Sequence, residues 1–196
     1  PVYDFLYTPG DANGWSQAAS AKIYPTPTGA AYESWMPLKG SFKFTTQPDW
    51  NGINFGAGAE AGTLSTDGGA GNLTVSDEGY YCVRMSTVSM TWETVYGPVQ
   101  SWGVIGGFAA SGWGTDVPMT TVDGQIWKAT VTFAAGDEFK FRADGAWDIQ
   151  YGNGGNGMDD LVCDGGSGNL TAPAAGTFEV TLDLSKVPYH ATLTAI

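Results

Sequence analysis

Trp127-Lys128-Ala129-Thr130-Val131-Thr132-Phe133 is the stretch on which the fold turns. Trp127, Ala129, Val131 and Phe133 alternate with Lys128, Thr130 and Thr132, a period of two with one apolar face. That period belongs to a half-buried antiparallel strand. Phe178, Val180, Leu182 and Leu184 alternate in the same way with Glu179, Thr181 and Asp183. Nearer the start, Tyr81, Val83 and Met85 alternate with Cys82, Arg84 and Ser86. Turn signals recur between such runs at the spacing of a sandwich, about 8–12 residues. No window carries a 3.6-residue apolar stripe with caps. Composition agrees: 29 glycines, 8 Trp, 9 Tyr and 9 Phe in 196 residues suit turns and strands better than helices.

Working outward from these strands, an internal repeat appears. Asp67-Gly68-Gly69-Ala70-Gly71-Asn72-Leu73-Thr74 recurs as Asp164-Gly165-Gly166-Ser167-Gly168-Asn169-Leu170-Thr171, 97 residues later. Phe42-Lys43-Phe44 recurs as Phe139-Lys140-Phe141 at the same offset, and each copy places a Trp six residues on, Trp50 and Trp147. Phe55-Gly56 matches Tyr151-Gly152, Gly14-Trp15 matches Gly112-Trp113, and Gly79 matches Gly176. A period this long means tandem domains rather than a solenoid of short repeats. The expectation is all-β: two tandem β-sandwich modules of seven or eight strands, residues 1–98 and 99–196, meeting near Pro98–Ser101. By the repeat, Cys82 falls where Glu179 does, on an outward face, and Cys163 falls where Thr66 does. The two cysteines are not equivalent, so no bridge between them is expected.

Charge narrows the partners. Lys+Arg total 8 and Asp+Glu 20, a formal net charge of −12. Nucleic acid and anionic membrane surfaces both need a basic face. Charged residues are only 14% and hydrophobics 42%, so this is a chain with a core and not an acidic disordered tail. The longest charge-free stretch, Thr94–Thr115, holds Pro98 and six glycines and does not read as a membrane span. A chain opening on Pro1 with no signal peptide reads as a mature segment.

Signals for catalysis are weak. His190 is the single histidine and has no counterpart in the first copy, so it reads as structural or solvent-facing. There is no Gly-x-Ser-x-Gly elbow and no Cys/His metal spacing. Asp159 and Asp160 are adjacent, so on a strand they would face opposite sides, whereas a glycosidase needs carboxylates opposed across a cleft. Asp67 and Asp164 each open an Asp-Gly-Gly turn, where Asp is expected for turn chemistry. Gly152–Gly157 fits G-x-G-x-x-G, but Met158–Val162 after it does not read as a helix, so a loop is expected. Asn72-Leu73-Thr74 and Asn169-Leu170-Thr171 are formal glycosylation sequons inside the repeated turn. No enzyme activity, cofactor or metal is expected.

One constellation recurs: Trp15, Lys43, Trp50 and Asn72, then Trp113, Lys140, Trp147 and Asn169, with seven residues from Lys to Trp in both. A Trp in such a loop either plugs the end of a sandwich or is offered to a ligand. A pyranose has a C–H face that packs on an indole, and hydroxyls that meet the donors and acceptors of Lys and Asn. The constellation therefore points to carbohydrate, and the scarcity of charge suits a neutral polysaccharide.

The order of these motifs resembles the SusE/SusF family, outer-membrane starch-binding proteins of Bacteroidetes. The residues that carry it are Leu6–Trp15, Phe42-Lys43-Phe44, Trp50, the Asn72 turn and Gly79-Tyr80-Tyr81. In the second copy they are Val104-Ile105-Gly106, Gly112-Trp113, Phe139-Lys140-Phe141, Trp147, Gly168-Asn169 and Gly176-Thr177-Phe178. The resemblance implies immunoglobulin-like β-sandwich modules that bind α-glucan without cleaving it. Trp15, Trp50, Trp113 and Trp147 would stack on sugar, Lys43 and Lys140 would donate to hydroxyls, and Asn72 and Asn169 would add polar contacts. It also implies a lipid anchor and a further domain beyond residues 1–196, a place at the cell surface, and a partner in an outer-membrane transporter complex. A monomer is expected. The alternative is a structural or protein-interaction component of such a complex; Trp35 aligns with Thr130 on the outward face of its strand, and Trp35 and Trp92 on one exposed patch would speak for it.

Overall fold

The computed structural model describes residues 2–163 and 165–196. Asp164, expected to open the second Asp-Gly-Gly turn, lies outside the described residues, as does Pro1. The protein is all-β: the strand registers among the described residues are antiparallel, and the described helices are two single turns, Asp11–Asn13 and Gly157–Asp159. Chain contacts divide into two compact units. One holds the residues up to Pro98 together with Asp123–Gln125 and Ser185–Val187, the other Val99–Val122, Ile126–Leu184 and Pro188–Ile196.

In the first unit a five-stranded sheet runs in the order Lys22–Ile23, Leu6–Tyr7, Phe44–Thr45, Asn54–Ala57, Leu64–Ser65. A three-stranded sheet runs Thr91–Val99, Gly79–Ser86, Tyr32–Leu38, and a small ribbon pairs Ser41–Phe42 with Leu73–Thr74. Both larger sheets feed one core. Leu6, Phe44 and Phe55 come from the first, and Tyr32, Met36, Tyr81, Val83 and Met85 from the second. Phe42 pairs beside Leu73 while Phe44 pairs beside Phe55, so the chain changes partner across Lys43.

The second unit pairs a six-stranded and a four-stranded sheet. The diagnostic run lies in the strand Ile126–Phe133, antiparallel to Gly176–Asp183. Register sets Trp127 beside Leu182, Ala129 beside Val180 and Val131 beside Phe178, so apolar meets apolar along one face. Trp127, Val131 and Phe133 are buried, and Lys128, Thr130 and Thr132 are exposed. Phe133 closes the core on the facing sheet, 5.0 Å from the Phe139 ring and 5.2 Å from Phe108.

Two expectations are corrected. Each half of the described chain contains ten strands, because short edge pieces and the break at Lys43 divide what reads as longer runs. Cys82 and Trp35 are buried, at 1% and 0% exposure, where an outward face was expected. They sit opposite each other in the three-stranded sheet, on the side away from the main core. Tyr96 stacks on Trp35 at 6.3 Å and 6°. Gln125, which groups with this unit, donates its amide to the Trp35 carbonyl at 2.9 Å. Alternation reports which residues share a face, and here both faces are covered. Trp92 is half-buried edge-on against Phe42, so Trp35 and Trp92 form no common exposed patch. Neither Cys82 nor Cys163 is in a disulfide.

Close packing at Gly152 gives a stability test. A Cβ there would lie 2.5 Å from the Gly168 carbonyl and 2.6 Å from Lys140 Cε. Gly152→Ala should destabilise the second unit by about 1–3 kcal/mol, as overpacking does. Chemical denaturation would show this as one transition moving to lower denaturant, and an unmoved transition would contradict the packing.

Candidate functional site

Each tryptophan pair is built from a glycine upward. The Gly10 backbone lies against the Phe42 strand, where a Cβ would come within 2.4 Å of the Ser41 carbonyl and 2.6 Å of Phe42 Cβ. Its carbonyl accepts the N–H of Trp15 at 2.9 Å and of Asn13 at 3.1 Å. The Asn13 side chain accepts from the Gly10 N–H and donates to the Thr8 carbonyl, each at 3.0 Å, closing the turn. Gly14 and Trp15 then take φ of 64° and 63°. The second copy repeats the device. A Cβ on Gly106 would meet the Glu138 carbonyl at 2.2 Å, the Gly106 carbonyl accepts the Trp113 N–H at 2.7 Å, and Gly112 and Trp113 take φ of 53° and 60°. A bulky aromatic in the left-handed region is strained, and such strain concentrates at functional sites.

The partner tryptophans come from the turns after the Phe-Lys-Phe strands. Asn54 donates to the Trp50 carbonyl and Gln150 to the Trp147 carbonyl, each at 3.0 Å. Trp15 and Trp50 lie 6.2 Å apart at 39°, and Trp113 and Trp147 lie 6.4 Å apart at 34°. Trp50, Trp113 and Trp147 are 46%, 38% and 44% exposed, and Trp15 is half-buried. Each pair is a bent apolar surface open to solvent.

The lysines serve the Gly-rich loops. Lys43 donates to the Ala70 carbonyl and Lys140 to the Ser167 carbonyl, both at 2.9 Å. Lys140 is buried at 6% exposure, whereas Lys43 is half-buried and lines a cleft of about 360 Å³ with Gly52, Asn54 and Asp67. Asn72 is exposed and is not among the residues lining that cleft. Asn169 donates to the Glu138 carboxylate at 3.1 Å. The structure thus brings the tryptophans together in pairs and ties each lysine to a loop.

Two groups at the platforms escape a reading of the sequence. Asp11 accepts the Trp15 indole N–H at 2.9 Å and the Ser41 N–H at 2.7 Å. Arg142 lays its guanidinium 4.7 Å from the centre of the Trp147 ring and donates from Nε to Asp116 at 2.8 Å. Both depart from the repeat: Ala109 stands four residues before Trp113, where Asp11 precedes Trp15, and Thr45 stands where Arg142 does. Comparing the copies residue by residue is the signal that would have found them.

No family model matches the chain, and no curated protein matches it. Among solved structures, the crystal structure of SusF from Bacteroides thetaiotaomicron matches over 98% of this chain and 49% of that one, at 18% identity and a TM-score of 0.40. The chain spans about half the length of that protein. At this similarity the chain's function has to come from its own side chains.

Elsewhere the chemistry is structural. The Asn153 side chain accepts the N–H groups of Gly155 and Gly157 at 2.8 and 2.9 Å, so the G-x-G-x-x-G run is a self-closed loop ahead of a single 3-10 turn. Asp67 accepts the Gly69 N–H at 2.8 Å, the turn role expected of it. His190 lies 3.6 Å from Asp183 across the strand pair.

The Ser41 N–H and the Trp15 indole hold the Asp11 carboxyl below its ordinary 3.8. A depressed carboxylate contributes its contacts fully above 3.8, and they are lost as pH falls through the lower folded value. In a chain carrying Trp147→Ala, the exciton circular-dichroism signal of the Trp15–Trp50 pair should therefore decline only below pH 3.8. With Asp11→Ala added, it should be weak and flat with pH. A wild-type signal indifferent to acid would show that Asp11 does not hold Trp15.

Proposed function

We propose that this is a non-catalytic glycan-binding protein of two tandem modules, residues 1–98 and 99–196, each presenting a tryptophan pair to a sugar chain. The observation that carries the reading is the duplicated pair: two indoles at 6.2–6.4 Å, tilted by 34–39°, reached by solvent, each pair with one member held in left-handed backbone. Exposed indoles meeting a pyranose C–H face supply contact area with little conformational loss. The tilt favours a chain that curves, as a starch-like α-glucan does, over a flat ribbon. The resemblance to the SusE/SusF family adds α-glucan, the cell surface and an uptake complex to the proposal. The carboxylate bonded into a platform, Asp11, is committed to Trp15 and Ser41 and is not free to act as an acid or base. Lys43 at the first cleft is the better placed hydroxyl donor, since Lys140 is buried.

A shallow platform gives a weak single site. Two sites on one chain raise the effective concentration of the second binding event, so polymers are held more tightly than short oligosaccharides. Native affinity electrophoresis against amylopectin, dextran, xylan, mannan, laminarin and pectin should show retardation, strongest in amylopectin. Trp50→Ala and Trp147→Ala should each cost about 1–3 kcal/mol at their own site, by analogy with stacking of bases on aromatic side chains. A folded double variant that is retarded as strongly as the unsubstituted chain would remove the platforms as the binding sites.

A further inference from the structure

A cavity of about 410 Å³ opens in the first unit beside the hairpin that joins Gly79–Ser86 to Thr91–Val99. Arg84, Ser86, Ser89, Thr91, Trp92 and Glu93 line it, and it shares no lining residue with the cleft at Lys43. Its volume falls within the range of small-molecule sites, roughly 300–1,000 Å³. Arg84 is the organising group. It donates from Nε, at 2.8 Å, and from Nη2 to one oxygen of Glu33. The Glu33 side chain is 10% exposed, so this pairing fixes the guanidinium plane. Nη1 is left 4.0 Å from Glu93, whose side chain is 63% exposed and free to turn. Ser89 and Thr91 add a pair of hydroxyls 2.8 Å apart, in which either oxygen can donate. The Trp92 ring is held by its edge contact with Phe42, and its backbone N–H donates to the Gly62 carbonyl at 2.8 Å.

These groups select a chemical class. Two carboxylates face one guanidinium, so the local charge is negative in a chain of net charge −12, and an anion is disfavoured. A neutral polyol fits: its hydroxyls can donate to Glu93 and accept from Arg84 and Ser89, while its C–H groups lie against Trp92. The guanidinium is peculiar to the first copy, since Thr181 stands at the Arg84 position of the second. We infer that this cavity is a separate binding site for a neutral mono- or disaccharide, independent of the tryptophan pairs.

The test removes the platforms and watches the cavity. A chain carrying Trp15→Ala, Trp50→Ala, Trp113→Ala and Trp147→Ala is titrated with maltose, methyl mannoside, glucuronate and ethanolamine, and read by amide and indole N–H correlation spectra. Maltose or methyl mannoside should shift the amides of Arg84, Ser89, Thr91 and Glu93 and the Trp92 indole saturably, and glucuronate should not. Glu93→Gln, at an exposed position, and Ala30→Phe, at the cavity wall, should each weaken that binding about tenfold. Absence of a saturable shift with either neutral sugar overturns the site. A response to ethanolamine or glucuronate alone overturns the ligand class, and shifts that survive Ala30→Phe overturn the location. If the fourfold variant misfolds, the unsubstituted chain reports the same binding through its Trp92 indole resonance. Polymer binding lost with the platforms while the cavity still titrates leaves both readings standing. A silent cavity in a chain whose platforms bind polymer sinks this inference alone.

Discussion

A glycine pressed flat against the Phe-Lys-Phe strand governs both tryptophan pairs. Gly10 and Gly106 each stand where a Cβ would run into the neighbouring strand, at 2.4 and 2.2 Å from a carbonyl oxygen. That closeness brings the glycine carbonyl under the turn, where it takes the N–H of Trp15 or Trp113. The tryptophan is thereby held at φ near +60°, a conformation it would not choose alone. The same strand carries Lys43 or Lys140 to the Gly-rich loop and then turns into Trp50 or Trp147. One close backbone approach thus fixes the start of the platform, and the strand it rests on delivers the other end.

The two platforms share this frame and differ in how the rings are steadied. In the first, Asp11 grips the indole N–H of Trp15, an interaction that depends on a carboxylate. In the second, Arg142 lies over Trp147 and is itself anchored by Asp116, with side-chain exposures of 10% and 20%. A buried ion pair beneath an aromatic face is stiff, because breaking it would leave one charge unpaired. Preorganised rings lose less freedom on binding. On the proposed reading, the second platform is the better preformed of the two.

Much of this was legible in the residue order. Alternation at Trp127–Phe133 located a strand and its buried face, since a period of two survives any tertiary context that buries one side. The repeat located both tryptophan pairs, because the same local geometry demands the same Gly-Trp and Phe-Lys-Phe at matching places. What escaped depends on contacts distant in sequence. Cys82 and Trp35 read as outward because alternation cannot say whether a second layer covers the other face. Arg142 and Asp116 are 26 residues apart and Arg84 and Glu33 are 51 apart, and neither pairing has a local signature. Lys140 read as a ligand donor because its type suits hydroxyls, yet the Gly-rich loop folds over it.

The cations tie these observations to the kind of partner the surface can take. Of the eight Lys and Arg, Lys39, Arg84, Lys128 and Arg142 pair with carboxylates, and Lys43 and Lys140 donate to loop carbonyls. The remaining two, Lys22 and Lys186, lie over the aromatic rings of Phe5 and Tyr24, at 4.1 and 5.7 Å from the ring centres. Among the described residues, every positive charge therefore has a partner within the chain, and the net charge of −12 sets the outward field. A polyanion would meet repulsion without a cluster of cations to offset it. A neutral polymer meets neither, and on the proposed reading its binding rests on contact area, which paired indoles in fixed turns provide. Recognition of that kind is largely indifferent to salt, because no counterion is released when it forms.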